Sequence, residues 1–244
     1  MKPKLKKMII AIIAIVVMVL ILDSSNAWFG NPISKAIAKK TAEKYIDENY
    51  GDLNLVLQEA GYNFKFSHYY VRFQSTDSID TTFTVHVNSY GKVLDDDYQY
   101  EVANNFRTLR RYESELREIG DKLFRAQLNY NISNALLLLE KVSDEDMLKL
   151  TKDMPFDIQN MPSEINASIT IIDEDISYGK MSEVLINMAE VCKKENIPIA
   201  TFSVRIEKEK DEAEKRSYVN VYHIPADILN SANIPKALEE LDAE

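Results

Sequence analysis

Fifteen consecutive apolar residues, Met8 to Leu22, follow a cluster of four lysines at Lys2, Lys4, Lys6 and Lys7. As a helix this run is about 22 Å long, short of the roughly 30 Å hydrocarbon core of a bilayer. Continued through Phe29 it reaches about 33 Å, with Asp23 as its one charge. Trp28 and Phe29 then fall where interfacial aromatics belong, and the lysines hold the N-terminus in the cytoplasm. Residues 1–30 are therefore expected to be a signal anchor, a transmembrane helix touching membrane through residues 8–29, with the C-terminal ectodomain outside. A second reading stays open. Ser25-Asn26-Ala27 places small residues where signal peptidase cuts, and cleavage before Trp28 would secrete the rest. A lipoprotein is excluded, because no cysteine directly follows the run.

Composition narrows the function classes. The 244 residues carry a net charge of −10, and the first 30, with four lysines against one aspartate, are their basic part. The remainder is more acidic still, which argues against nucleic acid as a partner. An apolar content of 45% is that of a globular chain of one or two domains. Cys192 is the single cysteine, so neither an internal disulfide nor a multi-cysteine zinc site can form.

Beyond the anchor the pattern predicts an α+β fold. Asn31-Pro32 caps and starts a helix whose apolar stripe is Ile33, Ile37, Ala38, Ala42, Tyr45 and Ile46, ending near Gly51. Strands are expected over 53–66, 69–75, 81–88 and at Val93-Leu94, making a helix on an antiparallel meander sheet. Tyr100–Leu128 reads as one long amphipathic helix. Its 102–126 stripe can face a core or form the seam of a homodimer. Two shorter helices are expected over 133–142 and 144–151, the second capped by Ser143 with Asp146. A strand (165–172), a helix (178–195) and two further strands (199–207 and 218–224) complete the chain, with a solvated charged loop at 208–216. The expected domains are 1–30, 31–128 and 129–244.

Four segments carry a likeness: Gly30-Asn31-Pro32-Ile33-Ser34, Gly61-Tyr62-Asn63-Phe64-Lys65-Phe66, Tyr69-Tyr70-Val71 and Ser78-Ile79-Asp80-Thr81. They resemble the YfjL-like family of uncharacterised membrane-anchored proteins of Gram-positive bacteria, and Glu195-Asn196-Ile197-Pro198 is similar to that family's C-terminal domain. The N-terminal half is also similar in pattern to PepSY-type domains, through the Gly91-Lys92-Val93 turn. The resemblance implies a membrane-anchored protein and brings no assigned reaction to any residue.

Chemistry-bearing residues are sparse. Asp173-Glu174-Asp175 begins like a calcium loop, but the glycine comes one position late and Val184 stands where the bidentate glutamate belongs. Asp95-Asp96-Asp97 lacks a second carboxylate motif and reads as a solvated turn. His68, His86 and His223 show no ligand spacing. No catalytic residue, metal or cofactor is expected. Nine of 13 tyrosines lie between residues 45 and 112, either packing the helix on the sheet or forming a binding face. Tyr62, Tyr69 and Tyr70 are the candidates for that face, because strand alternation sends 69 and 70 to opposite sides. The expected function is an extracytoplasmic, membrane-anchored interaction module for an envelope protein or polymer. A carboxylate-dependent cell-envelope hydrolase using Asp95–Asp97 or Asp173–Asp175 is the alternative.

Overall fold

The computed structural model describes residues 8, 12–18, 28–209 and 218–243. Most of the expected anchor and of the charged loop lies outside these. Residues 12–18 are helical and exposed. Among the described residues no helix is long and apolar enough to cross a membrane. The fold is α+β, in two compact units, Met1–Arg107 and Thr108–Glu244.

In the first unit, α1 (Pro32–Asn49) starts as its sequence dictates. Asn31 Oδ1 accepts the N–H groups of Ile33 (2.8 Å) and Ser34 (3.4 Å), and Pro32 fills the first turn. β1 (Leu55–Asn63), β2 (His68–Ser75), β3 (Thr82–Val87) and β4 (Val93–Asp96) pair in sequence order, all antiparallel. Ala38, Ala42 and Ile46 of α1 pack into the core formed by Val71, Phe73, Phe83 and Val85. The two alanines let helix and sheet approach closely. Ile33 and Ile37, assigned to the same stripe, are exposed. The first strand is shorter than expected: residues 64–67 form the turn, with Ser67 at φ 53° and the Lys65 N–H donating to Asn63 Oδ1.

The long helix is also shorter. Gln99–Ala103 forms a π-type turn, Asn105 adopts φ 59°, and α2 runs from Phe106 to Gln127. The two compact units divide before Thr108, and the buried face of α2 belongs to the second core. Leu116 and Phe124 join that core, while Leu109 and Tyr112 pack with Leu150. Val102 lies in the first unit's core. Of the 102–126 stripe, Val102, Leu109, Tyr112 and Leu116 are buried among the chain's own side chains, Phe106, Ile119 and Leu123 are half-buried, and Ala126 is exposed.

The second unit corrects one helix outright. Residues 133–142 were expected to be helical, but β5 (Ile132–Leu139) is a strand, antiparallel to β6 (Ile165–Ile172). Leu136–Leu139 favours helix locally, yet pairing with β6 buries Ala135 and Leu137, and tertiary burial overrides propensity. The capping box at Ser143 and Asp146 forms, but α3 spans only Asp144–Met147. β6, α4 (Tyr178–Lys194) and β7 (Ile199–Glu207) make a parallel crossover, and β8 (Tyr218–Pro225) pairs antiparallel with β7. α4 ends in a Schellman motif. Asn196 sits at φ 54°, its N–H bonds Lys193 O at 3.2 Å, and the Ile197 N–H bonds Cys192 O at 2.9 Å. A final helix, α5 (Ile234–Asp242), was not read from the sequence. Alternation splits the sheet. Ile165, Ala167, Phe202 and Val204 share a core with Met181, Leu185 and Met188 of α4, while Asn166, Thr201 and Ser203 point to the other side.

Candidate functional site

The pleat takes the Asp95-Asp96-Asp97 triplet apart. β3–β4 pairing sets His86 opposite Asp95. His86 Nε2 lies 3.4 Å from Asp97 Oδ2 and 4.0 Å from Asp95 Oδ1, and its Nδ1 lies 3.0 Å from His68 Nε2. Burial, and then the neighbouring His86, hold His68 below the usual imidazole value. Asp96 belongs to a different network. Its Oδ2 accepts the hydroxyls of Tyr45 (2.6 Å) and Tyr50 (3.0 Å), and its Oδ1 accepts the Tyr98 N–H. The hydrogen bond to Asp96, with burial, pushes the Tyr45 phenol up to about 12. Asp173 and Asp175 order the entry to α4: Asp173 accepts the Asp175 N–H, Asp175 accepts the Ser177 N–H, and Lys180 stands 3.6 Å from Asp173. Among the described residues no group of histidines, cysteines and carboxylates is arranged to hold a metal ion. Burial pushes the Cys192 thiol up to about 12, so it stays a thiol at neutral pH.

The three candidate tyrosines do not share an exposed face. Tyr69 is 2% exposed, and its hydroxyl accepts the Asn31 N–H (2.6 Å) and donates to Asn31 O (3.1 Å), tying the start of α1 to the sheet. Tyr62 is half-buried against it, ring centroids 5.0 Å apart. Tyr70 is half-buried on the opposite side of the strand and donates to Glu59. The concentration of tyrosines in this unit is therefore mostly packing and internal hydrogen bonding.

The second unit carries a more developed constellation. Its members come from, or directly follow, each of the four strands, on the side of the sheet away from α4. Glu140, just past β5, accepts the hydroxyl of Thr201 on β7 and lies 3.2 Å from Nδ1 of His223 on β8. Asn166 on β6 donates to Thr201 Oγ1 (2.7 Å) and to Ser203 Oγ (3.1 Å), and Ser203 Oγ in turn accepts the backbone N–H of His223 (3.3 Å). Burial works against the Glu140 carboxylate, but hydrogen bonds from Thr201 and His223 prevail and hold its pKa below the usual range. An ionised Glu140 favours a proton on His223 Nδ1, the nitrogen that faces it.

His223 is aimed by a bulge. Phe202 pairs with Ile224 and Val204 with Val221, so β8 holds one residue more than β7 between those pairs. His223 takes φ 51°, a left-handed conformation that costs a non-glycine residue about 1–2 kcal/mol. Such strain is the kind stored at binding and catalytic positions. Glu140, Thr201 and His223 line a cleft of about 840 Å³, together with Lys141, Lys149 and Pro198. Its loop wall is pinned from two directions. Tyr112 and Arg111 of α2 donate to the carbonyls of Pro155 (2.5 Å) and Met154 (2.7 Å), and Lys149 donates to Pro162 O (2.8 Å).

A two-unit α+β chain with a helix-on-meander unit followed by a four-stranded mixed sheet is the class this geometry defines. Models of the YfjL-like N-terminal domain and the YfjL-like C-terminal domain match residues 5–98 and 115–239. The chain belongs to the YfjL-like family, whose members are uncharacterised. No curated protein and no solved structure matches it.

Proposed function

We propose that this chain is an extracytoplasmic binding module, tethered by residues 8–29 and recognising an envelope protein or polymer in the cleft of its second unit. The observation that carries the binding reading is the Glu140–His223 pair at the end of a four-strand polar network, with His223 held in a strained backbone beside the cleft. A volume of about 840 Å³ is within the range of ligand sites. An ionised carboxylate, the His223 imidazole and the Lys141 ammonium suit a polar chain that offers both donors and anionic groups. Support for the location comes from the sequence, where four lysines precede the apolar run.

Two experiments on the full chain in cells test this. Protease added to intact protoplasts is expected to digest the protein beyond residue 30, and protection of that part would refute the location. A photoreactive residue replacing Lys141 is expected to form an adduct with an envelope component, while one replacing Lys236, exposed on α5, is not. Equal labelling at the two positions, or none at position 141, would refute the cleft as the binding site.

A further inference from the structure

We propose that the β1–β2 turn is a second membrane contact, in which Phe64 and Phe66 enter the outer headgroup layer beside the tether. The inference rests on the membrane reading of residues 8–29 and extends it to the folded part of the first unit. Phe66 is 72% exposed, Phe64 47%, and Trp28 62%. Phe64 meets Trp28, and Phe66, in the same turn, stacks its ring on His68 with centroids 5.8 Å apart; exposed aromatics on one turn mark a contact surface. What covers them follows from chain geometry. The Trp28 ring lies against Phe64, with centroids 5.2 Å apart and the planes tilted by 31°. Trp28 follows Leu22 by six residues, which even fully extended span only about 20 Å. With residues 8–29 as the membrane segment, Trp28 lies at its outer interface, and the turn it touches is held there. Lys65 stands between the two phenylalanines, a mixture of ring and ammonium suited to the headgroup layer. A tether alone fixes one point, whereas tether and turn together would fix the orientation of the first unit at the surface.

Trp28 is the sole tryptophan, so the chain carries its own depth probe. The full chain is reconstituted in phosphatidylcholine vesicles whose acyl chains are brominated near the headgroup, and tryptophan emission is compared with that in unbrominated vesicles. The wild-type chain reports the tether. A chain with Phe66→Trp in a Trp28→Phe background reports the turn, and far-ultraviolet circular dichroism checks that its fold is kept. The expected result is a loss of emission from both chains, with the position-66 probe shifted to shorter wavelength on vesicle binding. Quenching at position 28 with none at position 66 would overturn the inference and leave the tether standing. Quenching at neither position would overturn both.

Discussion

His223 Nδ1 lies 3.2 Å from Glu140 Oε1, although 83 residues of chain separate them. The contact closes a network that joins both edges of the second sheet, because Glu140 follows edge strand β5 and His223 belongs to edge strand β8. Replacing Glu140 by alanine leaves the Thr201 hydroxyl and the His223 ring without their shared acceptor. Losses of this kind are about 1–2 kcal/mol. Urea denaturation of the Glu140→Ala chain is expected to show that decrease, and an unchanged midpoint would mean that the network carries no stability.

His223→Gly separates strain from function. Glycine adopts φ 51° without the left-handed penalty, while the His223 side of the lost contact is 70% exposed and Glu140 keeps the Thr201 hydroxyl. The variant is expected to be at least as stable as the parent, gaining up to about 1 kcal/mol. A thermal midpoint clearly below the parent's would show that the histidine is retained for packing.

Little of this site was legible in advance. His223 and Glu140 become neighbours only through a register in which 132–139 is a strand, and the leucine-rich sequence there satisfies helix propensity equally well. Nothing local marks His223 as the residue that takes the left-handed bulge position. The first unit was plainer. Phe83, Val85 and Val87 alternate with Thr82, Thr84 and His86, and Asn31-Pro32 announces its helix. Even there the pairing of His86 with Asp95, and the separation of Asp96 toward Tyr45, follow only once strand register is known. The signal that predicts α1 recurs at Asn233 and Pro235, where it would have disclosed α5.

Tyr69→Phe removes the hydroxyl that both accepts from and donates to the Asn31 backbone. A net loss of about 1 kcal/mol in the first unit is expected from chemical denaturation. Loss of partner capture without loss of stability would instead assign this residue to recognition.

Gly120 permits α2 to lie on β5. A Cβ there would collide with the backbone at Leu136 and Leu137, which cannot give way as a side chain can. Gly120→Ala is expected to lower stability by about 1–3 kcal/mol despite alanine's better helix propensity. Equal or higher stability would contradict the close helix–strand packing.

The Tyr45–Asp96 bond makes an alkaline prediction. Tyr45 is raised from 10.0 to about 12 in the folded protein, so the unfolded chain loses that proton first as pH rises. Its contribution to stability is complete below pH 10.0 and is lost as pH climbs through about 12. Tyr45→Phe is expected to flatten the stability profile across this window, measured by denaturant titration at stepped pH. An unchanged slope would place the alkaline sensitivity elsewhere.

Recognition in the second-unit cleft is tested most directly by measuring the photoadduct formed at position 141 in cells for three chains: the parent, one with His223→Gly, and one with Tyr62→Ala and Tyr70→Ala. The expected result is that His223→Gly abolishes the adduct at undiminished stability while the tyrosine changes leave it intact. Retention of the adduct with His223→Gly and its loss with the tyrosine changes would contradict the account and return recognition to the first unit.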